Sequence, residues 1–181
     1  MGHELVLQEL CAINCGERTY NYVRSFLTDR TATVGIGEIR SSTFSLPNRG
    51  TPQGAILSPL LFNICMARLA RQLDSIPDLG YALYADDITL WVTRGPLSYK
   101  ENTLQEGAQT VHLFAESCGM SSSPEKSELV RVHGRGYRNG LPFELKIGDR
   151  RIRQVEKARI FGLWIQSNRH ADNTLKTTHD S

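Results

Sequence analysis

The chain has 181 residues, of which 40% are hydrophobic and 22% charged, a composition that is typical of one globular domain and excludes a disordered or collagen-like chain. The sequence has no run of about 18 apolar residues and no signal-peptide pattern, which predicts an intracellular protein, nuclear or cytoplasmic, without a membrane partner. The four cysteines form no CxxC pair, so we expect reduced thiols rather than disulfides or a zinc site.

The net charge of +2 conceals an uneven distribution along the chain. Residues 126–169 carry eleven basic and four acidic residues, a net charge of +7, which leaves −5 on the remainder. A basic segment of this kind indicates a polyanionic partner such as nucleic acid, although a solvated charged face has the same composition.

The first part of the chain predicts helices and then short strands. Apolar residues recur at helical spacing on both sides of a break at residues 14–16, which predicts two helices within the first thirty residues. Residues 31–35 and 42–46 are β-prone and lie around the turn-forming residues 35–38, which predicts two short strands or a strand pair.

Two amphipathic helices are predicted in the centre of the chain. Ser58 is suited to the N-cap and Pro59 to the first helical position of a buried helix that extends to Leu73. Apolar residues also recur at helical spacing over residues 104–118, and Gly119 is suited to end that helix.

Short strands are predicted in the last third of the chain. Residues 129–132 form one strand, residues 145–147 and 150–152 form a hairpin around a Gly-Asp turn, and residues 160–165 form a last strand. Because helices and hairpins alternate irregularly, we predict an α+β fold with an antiparallel sheet rather than a doubly wound parallel one.

Asp86 and Asp87 are adjacent carboxylates between two β-prone runs, residues 81–85 and 88–92, which predicts a tight hairpin with both carboxylates at its tip. Like charges this close repel unless something compensates them. A divalent cation such as Mg²⁺, which prefers oxygen ligands, is one compensation. A solvent-exposed Asp-Asp turn is the alternative that these residues alone leave open.

A glycine-containing loop, Arg-Gly-Thr-Pro-Gln-Gly at residues 49–54, precedes the helix predicted from Ser58. Its two glycines allow the backbone to approach a ligand closely, and Gln53 offers a donor and an acceptor for a nucleotide base or sugar. Taken alone, the same residues also fit an ordinary turn.

Four motifs together resemble the ordered palm motifs of reverse transcriptases from non-LTR (LINE-like) retrotransposons. The motifs are RGTPQGAILSPLLFNI at residues 49–64, YADD at 84–87, PEKSELV at 124–130 and ARIFGLWI at 158–165. The similarity covers approximately residues 3–165. It implies a polymerase palm-type antiparallel sheet packed on helices, with a partial palm domain over residues 1–165 and a polar tail over 166–181 as the start of a thumb or connection.

The resemblance also implies roles for individual residues. Asp86 would bind a catalytic metal, Mg²⁺ or Mn²⁺, with Asp87 as the adjacent supporting carboxylate. Lys126 would lie near the triphosphate and assist the departure of pyrophosphate. The residues that would border the incoming nucleotide and the template are Arg49, Gly50, Pro52, Gln53 and Gly54. The residues that would grip the primer end are Phe161, Gly162 and Leu163.

The function that the resemblance implies is RNA-directed DNA polymerisation by two-metal nucleotidyl transfer, with an RNA template, a DNA primer and dNTPs as partners. In the family, a further catalytic aspartate precedes the helix that here opens with His3 and Glu4, and only Met1 and Gly2 precede these residues. We therefore expect an incomplete palm fragment without that first catalytic strand, the fingers or a full thumb. It would depend on the missing polymerase segments of a full-length parent and would be inactive alone.

The sequence also leaves other functional classes open. A non-catalytic nucleic-acid-binding relic of a transposon is the main alternative, and an inert remnant is a third hypothesis. A different Mg²⁺ enzyme that uses Asp86 and Asp87, such as a phosphatase, is disfavoured because it leaves the motifs at residues 49–54 and 158–165 unexplained. The five histidines form no spaced set, so we assign them no catalytic or zinc-binding role.

Overall fold

The computed structural model describes residues 1–132, 143–160 and 162–167, and the helices lie within the first 118 of these. The helices are α1 (His3–Ala12), α2 (Glu17–Leu27), α3 (Leu57–Asp74) and α4 (Leu97–Ser117). The two predicted N-terminal helices are confirmed, and Gly16, with a φ of 81°, lies in the predicted break between them.

Strands pair two by two throughout the described residues. In chain order they are β1 (Thr31–Ala32), β2 (Gly35–Ile36), β3 (Ile39–Arg40), β4 (Phe44–Ser45), β5 (Gly80–Tyr84), β6 (Asp87–Trp91), β7 (Glu128–Val130), β8 (Lys146–Ile147), β9 (Arg150–Arg151), β10 (Arg153–Val155), β11 (Lys157–Ile160) and β12 (Leu163–Gln166). Antiparallel pairs join β1 with β4, β2 with β3, β5 with β6, β8 with β9, and β11 with β12, while β7 and β10 are parallel. Mixed helices and small, mainly antiparallel sheets confirm the α+β class.

Two helix boundaries differ from the predictions. The helix α3 has Ile56 at its N-cap, and Ser58 does not cap it, since the Ser58 hydroxyl donates a hydrogen bond of 2.7 Å to the Pro52 carbonyl. The helix α4 begins at Leu97, well before the predicted residue 104, because Pro96 in extended conformation starts a first turn without apolar periodicity.

The predicted single strand over residues 160–165 is wrong. The structure has the hairpin of β11 and β12 there, with Ile160 opposite Leu163. Gly162 has a φ of 83°, a left-handed conformation that glycine adopts at little cost and that ends a strand. The sequence predicted one continuous strand because Gly162 is the only turn-forming residue in this apolar run.

One hydrophobic core joins the helices and the β5–β6 hairpin. The helix α3 packs against α1, α4 and β5, while α4 also packs against β6 and β8. Fully buried side chains come from α1, α2 and α3 and from the end of α4, and they include Val6, Leu10, Leu27, Leu61, Cys65, Leu69, Leu73 and Cys118. Burying a side chain of this size stabilises the folded state by about 1.5–3 kcal/mol relative to exposing it. The helices therefore form a stable core against which the β5–β6 hairpin packs.

Beyond α4 the core contributions are few. The buried apolar residues in the described part after residue 118 are Phe143, Leu145, Ile147 and Ala158. The strands there have two to four residues each, and β8 rests on α4. Among the described residues, no helix combines the length and the apolar character that crossing a membrane requires.

Candidate active site

The predicted hairpin around the two aspartates is present, with β5 and β6 paired from Gly80–Trp91 to Tyr84–Asp87. Its loop has two residues, Ala85 and Asp86, so Asp86 lies in the turn and Asp87 is the first residue of β6. Two-residue connections are the tightest link between antiparallel strands. Both carboxylates therefore lie at the end of the hairpin, although the turn is Ala85-Asp86 and not the predicted Asp86-Asp87.

Ala85 carries backbone strain in this turn. Its φ is 50°, in the left-handed region that a non-glycine residue adopts at a cost of about 1–2 kcal/mol. Such residues occur preferentially at functional sites, where the surrounding fold enforces the geometry. The body of the hairpin supplies that enforcement, because Leu83, Ile88 and Leu90 pack against the core.

Further contacts brace the base of the hairpin. The indole of Trp91 covers Gly80 so closely that a Cβ at Gly80 would lie 2.3 Å from the ring. The Tyr81 hydroxyl donates a hydrogen bond of 2.7 Å to an Asp74 carboxylate oxygen and lies 3.2 Å from the Ala70 carbonyl. The bond to Asp74 raises the pKa of Tyr81 above its usual value, since the carboxylate favours the protonated phenol. The hairpin is thus fixed to α3 at the end opposite the aspartates.

The hairpin tip offers the ligands that a hard cation requires. Tyr84, Ala85, Asp86 and Asp87 are all exposed, so four carboxylate oxygens face solvent. Mg²⁺ binds through one or two protein carboxylates and fills its remaining positions with water or phosphate oxygens. The donor set therefore fits Mg²⁺ or Mn²⁺, although the described residues hold no cluster of three His, Cys, Asp or Glu side chains placed to bind a metal together.

The loop at residues 49–54 is held at its start and at its centre. Gly50 and Gly54 have φ values of 72° and 83°, which fixes a backbone path that other residues rarely follow. At its start, the Gly50 N–H donates to the Met1 carbonyl at 2.7 Å. At its centre, Ser58 donates to the Pro52 carbonyl. Gln53, which directly follows the second of these anchors, is exposed.

The other predicted site residues lie on separate elements. Lys126 is exposed in the loop before β7, and its N–H donates to the Ser123 carbonyl at 3.1 Å. Gly162 and Leu163 are exposed at the β11–β12 connection, while Phe161 lies outside the described residues. Within the described ranges, no hydrogen bond or ion pair joins Lys126 to the aspartates or to the 49–54 loop.

Several cations of the basic segment (residues 126–169) make contacts within the chain. Three of its arginines form ion pairs with glutamates: Arg150 with Glu125, Arg151 with Glu144 at 2.7 Å, and Arg153 with Glu128 at 2.6 Å. Lys157 lies over the ring of Trp164 at 5.3 Å from its centroid, a cation–π contact. Only the pair with Glu125 lowers the +7 charge, because Glu128 and Glu144 are already counted in that sum.

Sequence similarity to known proteins identifies the family of this chain. The family described as reverse transcriptase (RNA-dependent DNA polymerase) matches residues 1–165. The chain belongs to the reverse transcriptase family. This reverse transcriptase-family chain is 29% identical over 145 residues to the retrovirus-related Pol polyprotein from type-1 retrotransposable element R2 of Popillia japonica. The alignment covers 75% of this chain and 20% of that protein.

A second relative is the retrovirus-related Pol polyprotein from type-1 retrotransposable element R1 of Nasonia vitripennis, 26% identical over 117 residues. That alignment covers 63% of this chain and 34% of the relative. The chain thus spans about a fifth to a third of these two polyproteins. The resemblance to reverse transcriptases of non-LTR retrotransposons is confirmed.

The structure adds residues to the candidate site for which the sequence pattern indicated no such role. Ser58, predicted as a helix cap, instead ties the 49–54 loop to α3. Ala85 carries the strained turn beside Asp86. His3, to which we assigned no role, is buried and contacts Gly50. A histidine at the first position of an otherwise apolar helix face was the available signal for the last of these.

Proposed function

We propose that this chain provides the palm part of an RNA-directed DNA polymerase site, in which Asp86 and Asp87 hold divalent metal for two-metal nucleotidyl transfer. The observation that carries the proposal is the exposed carboxylate pair at a strained, two-residue hairpin turn that is fixed to the helical core. Membership of the reverse transcriptase family supports the assignment of the reaction.

The reaction joins the 3′-oxygen of a DNA primer to the α-phosphorus of a dNTP. The new P–O bond forms as the bond from the α-phosphorus to the bridging oxygen breaks, the proton of the 3′-hydroxyl passes to solvent water, and pyrophosphate leaves. When bound, Mg²⁺ supplies neutralisation of the charge on the reacting phosphates. Asp86 and Asp87 would hold the metal, because the hairpin register fixes their positions.

The remaining roles follow the elements on which the residues lie. In the proposed site, the loop residues Arg49, Gly50, Pro52, Gln53 and Gly54 border the nucleotide and the template. The cationic side chain of Lys126 assists the departing pyrophosphate, and its exposure in a loop leaves it free to reach an anion. Phe161, Gly162 and Leu163 hold the primer end.

The domain organisation is part of the same proposal. Residues 1–165 form the palm portion, with its strands contributing to a palm-type sheet, and residues 166–181 lead towards a thumb or connection. The limited share of the relatives that this chain covers agrees with a palm portion of a larger polymerase.

Binding of a labelled RNA-template–DNA-primer duplex to the chain, measured by fluorescence anisotropy, tests this function. We expect Mg²⁺ and the dNTP complementary to the template to tighten the complex, whereas a non-complementary dNTP does not. Asp86→Asn and Lys126→Ala should abolish this nucleotide-dependent increase in duplex affinity, because the first removes a metal contact and the second a triphosphate contact. The matched controls Asp149→Asn, in the exposed β8–β9 turn, and Lys146→Ala, in β8, keep it.

Other outcomes of this titration separate the hypotheses. Salt-sensitive duplex binding without any nucleotide effect contradicts the polymerase proposal and supports the nucleic-acid-binding alternative. Absence of binding contradicts both. The expectation that the isolated 181-residue chain does not extend a primer stays a prediction, and an elongated product in the same mixture would overturn it.

A further inference from the structure

A buried histidine contacts the 49–54 loop from the helical core. His3, the first residue of α1, is 4% exposed, and its Nε2 lies 2.6 Å from the Gly50 carbonyl oxygen. Because a carbonyl oxygen only accepts hydrogen bonds, Nε2 must carry the proton and donate it. The contact therefore requires one particular tautomer of the His3 ring.

The backbone around His3 reinforces the same contact. Gly2 and Arg49 form an isolated antiparallel bridge, the His3 N–H donates to the Asn48 carbonyl at 3.3 Å, and the Gly50 N–H donates to Met1. The loop start is thus paired with residues 1–3 like a short strand. The ring of His3 adds the only side-chain hydrogen bond found in this pairing within the described structure.

The other ring nitrogen gives a second observation. Nδ1 of His3 is buried and has no hydrogen-bond partner among the described residues. A buried polar atom without a partner is unfavourable, so a purely packing role would be better served by an apolar side chain. Unlike an apolar side chain, His3 donates a hydrogen bond to the Gly50 carbonyl through Nε2–H.

We propose that His3 is a positioning residue, which through its Nε2–H bond to Gly50 sets the backbone conformation of the nucleotide- and template-binding loop. The loop's function rests on the polymerase proposal above, whereas the contact itself does not. Ser58 bonds the Pro52 carbonyl, so the two side chains hold the loop at Gly50 and at Pro52, directly before the exposed Gln53.

The tautomer of His3 in the unmodified chain tests the contact without any substitution. Nitrogen-15 NMR of the labelled protein at neutral pH distinguishes a ring protonated at Nε2 from one protonated at Nδ1. We expect the Nε2–H form, with a ring N–H protected from exchange with solvent. A ring protonated at Nδ1 alone cannot donate to Gly50 and would overturn the proposal.

Two substitutions separate the hydrogen bond from packing. Amide hydrogen exchange is measured over residues 48–54, with α3 as the internal reference. His3→Leu removes the donor, and we expect exchange to accelerate about fivefold to tenfold in the loop, the loss of one hydrogen bond. His3→Gln restores a donor, and we expect near-normal protection. His112→Leu, which removes a ring bonded to Ser122 at 2.8 Å instead, leaves the loop unchanged.

Each outcome decides the proposal. Equal loop exchange in His3→Leu and wild type contradicts it, as does equal damage from His3→Leu and His3→Gln. If His3→Leu does not fold, the comparison of His3→Gln with wild type and the tautomer measurement decide between a hydrogen-bonding and a packing role. The duplex titration is run on the same proteins. If the loop exchange and the His3 tautomer are as expected but dNTP does not tighten duplex binding, the polymerase function is overturned and the positioning role of His3 stands.

Discussion

The helical part of the chain (residues 1–118) and its strand-rich part (residues 128–132, 143–160 and 162–167) are held together by different forces. In the helical part, long helices bury a continuous apolar core, and the buried Glu9 carboxylate of α1 pairs with the half-exposed Arg71 of α3. In the strand-rich part, strands of two to four residues bury few apolar side chains, and an ion pair between Arg153 and Glu128 joins β10 to β7.

This contrast explains where the candidate site residues lie. Asp86, Asp87 and the 49–54 loop extend from the helical part, where a packed core fixes their backbone. Lys126 and Gly162 belong to loops next to short strands with little buried area. We therefore expect the metal and nucleotide contacts to be preorganised, and the pyrophosphate and primer contacts to depend on bound substrate.

The largest expected effect is the loss of a core side chain from the helical part. Leu69 in α3 is fully buried, and Leu69→Ala should lower the free energy of unfolding by about 2–5 kcal/mol through lost burial and the cavity left behind. Urea denaturation measures it. Leu113→Ala, at a half-exposed position of α4, is the control and should cost less than about 1 kcal/mol. Equal losses would contradict a core centred on α3.

The ion pairs should show a smaller difference of the same kind. Arg71→Ala leaves the Glu9 carboxylate buried without its partner, which should cost about 1–3 kcal/mol, limited by the partial exposure of Arg71. Arg150→Ala breaks an exposed pair with Glu125 and should cost less than about 1 kcal/mol, an effect that added salt reduces further. A greater loss from Arg150→Ala than from Arg71→Ala would reverse the comparison.

The smallest effect at neutral pH concerns a buried thiol. Burial raises the pKa of Cys65 from 9.0 to about 12, while its unfolded value stays ordinary. The protonated thiol therefore contributes stability that is complete below pH 9 and is lost as the pH rises towards 12. Urea titrations at about pH 7, 9 and 10.5 should show a steeper alkaline decline in wild type than in Cys65→Ala. The exposed Cys11→Ala should follow wild type.

Sequence reasoning was most accurate where a periodic pattern and a turn signal coincided. Asp86 and Asp87 between two β-prone runs predicted the hairpin to within a residue, and the break at residues 14–16 separated α1 from α2. Both signals are local, since strand alternation and helical periodicity depend on neighbouring residues. The family motifs then supplied the reaction that local patterns do not specify.

The remaining features depend on contacts between distant residues. Nothing near His3 indicates that its ring reaches Gly50, forty-seven positions along the chain. Ser58 satisfied the sequence rule for an N-cap but bonds Pro52 instead, because the loop folds back on the helix start. The parallel pairing of β7 with β10 likewise joins the strand predicted near residues 129–132 to residues 153–155, where no strand was predicted.

Mn²⁺ binding at the hairpin tip tests the central claim most directly. Electron paramagnetic resonance of free Mn²⁺, titrated with the 181-residue chain, gives the affinity of wild type, Asp86→Asn and Asp149→Asn. Because the paired carboxylates are the proposed ligands, Asp86→Asn should weaken binding at least about tenfold, or about 1.4 kcal/mol. Asp149→Asn, in an equally exposed two-residue hairpin turn, should match wild type. Equal Mn²⁺ affinity in all three proteins would contradict the assignment of the metal site to Asp86 and Asp87.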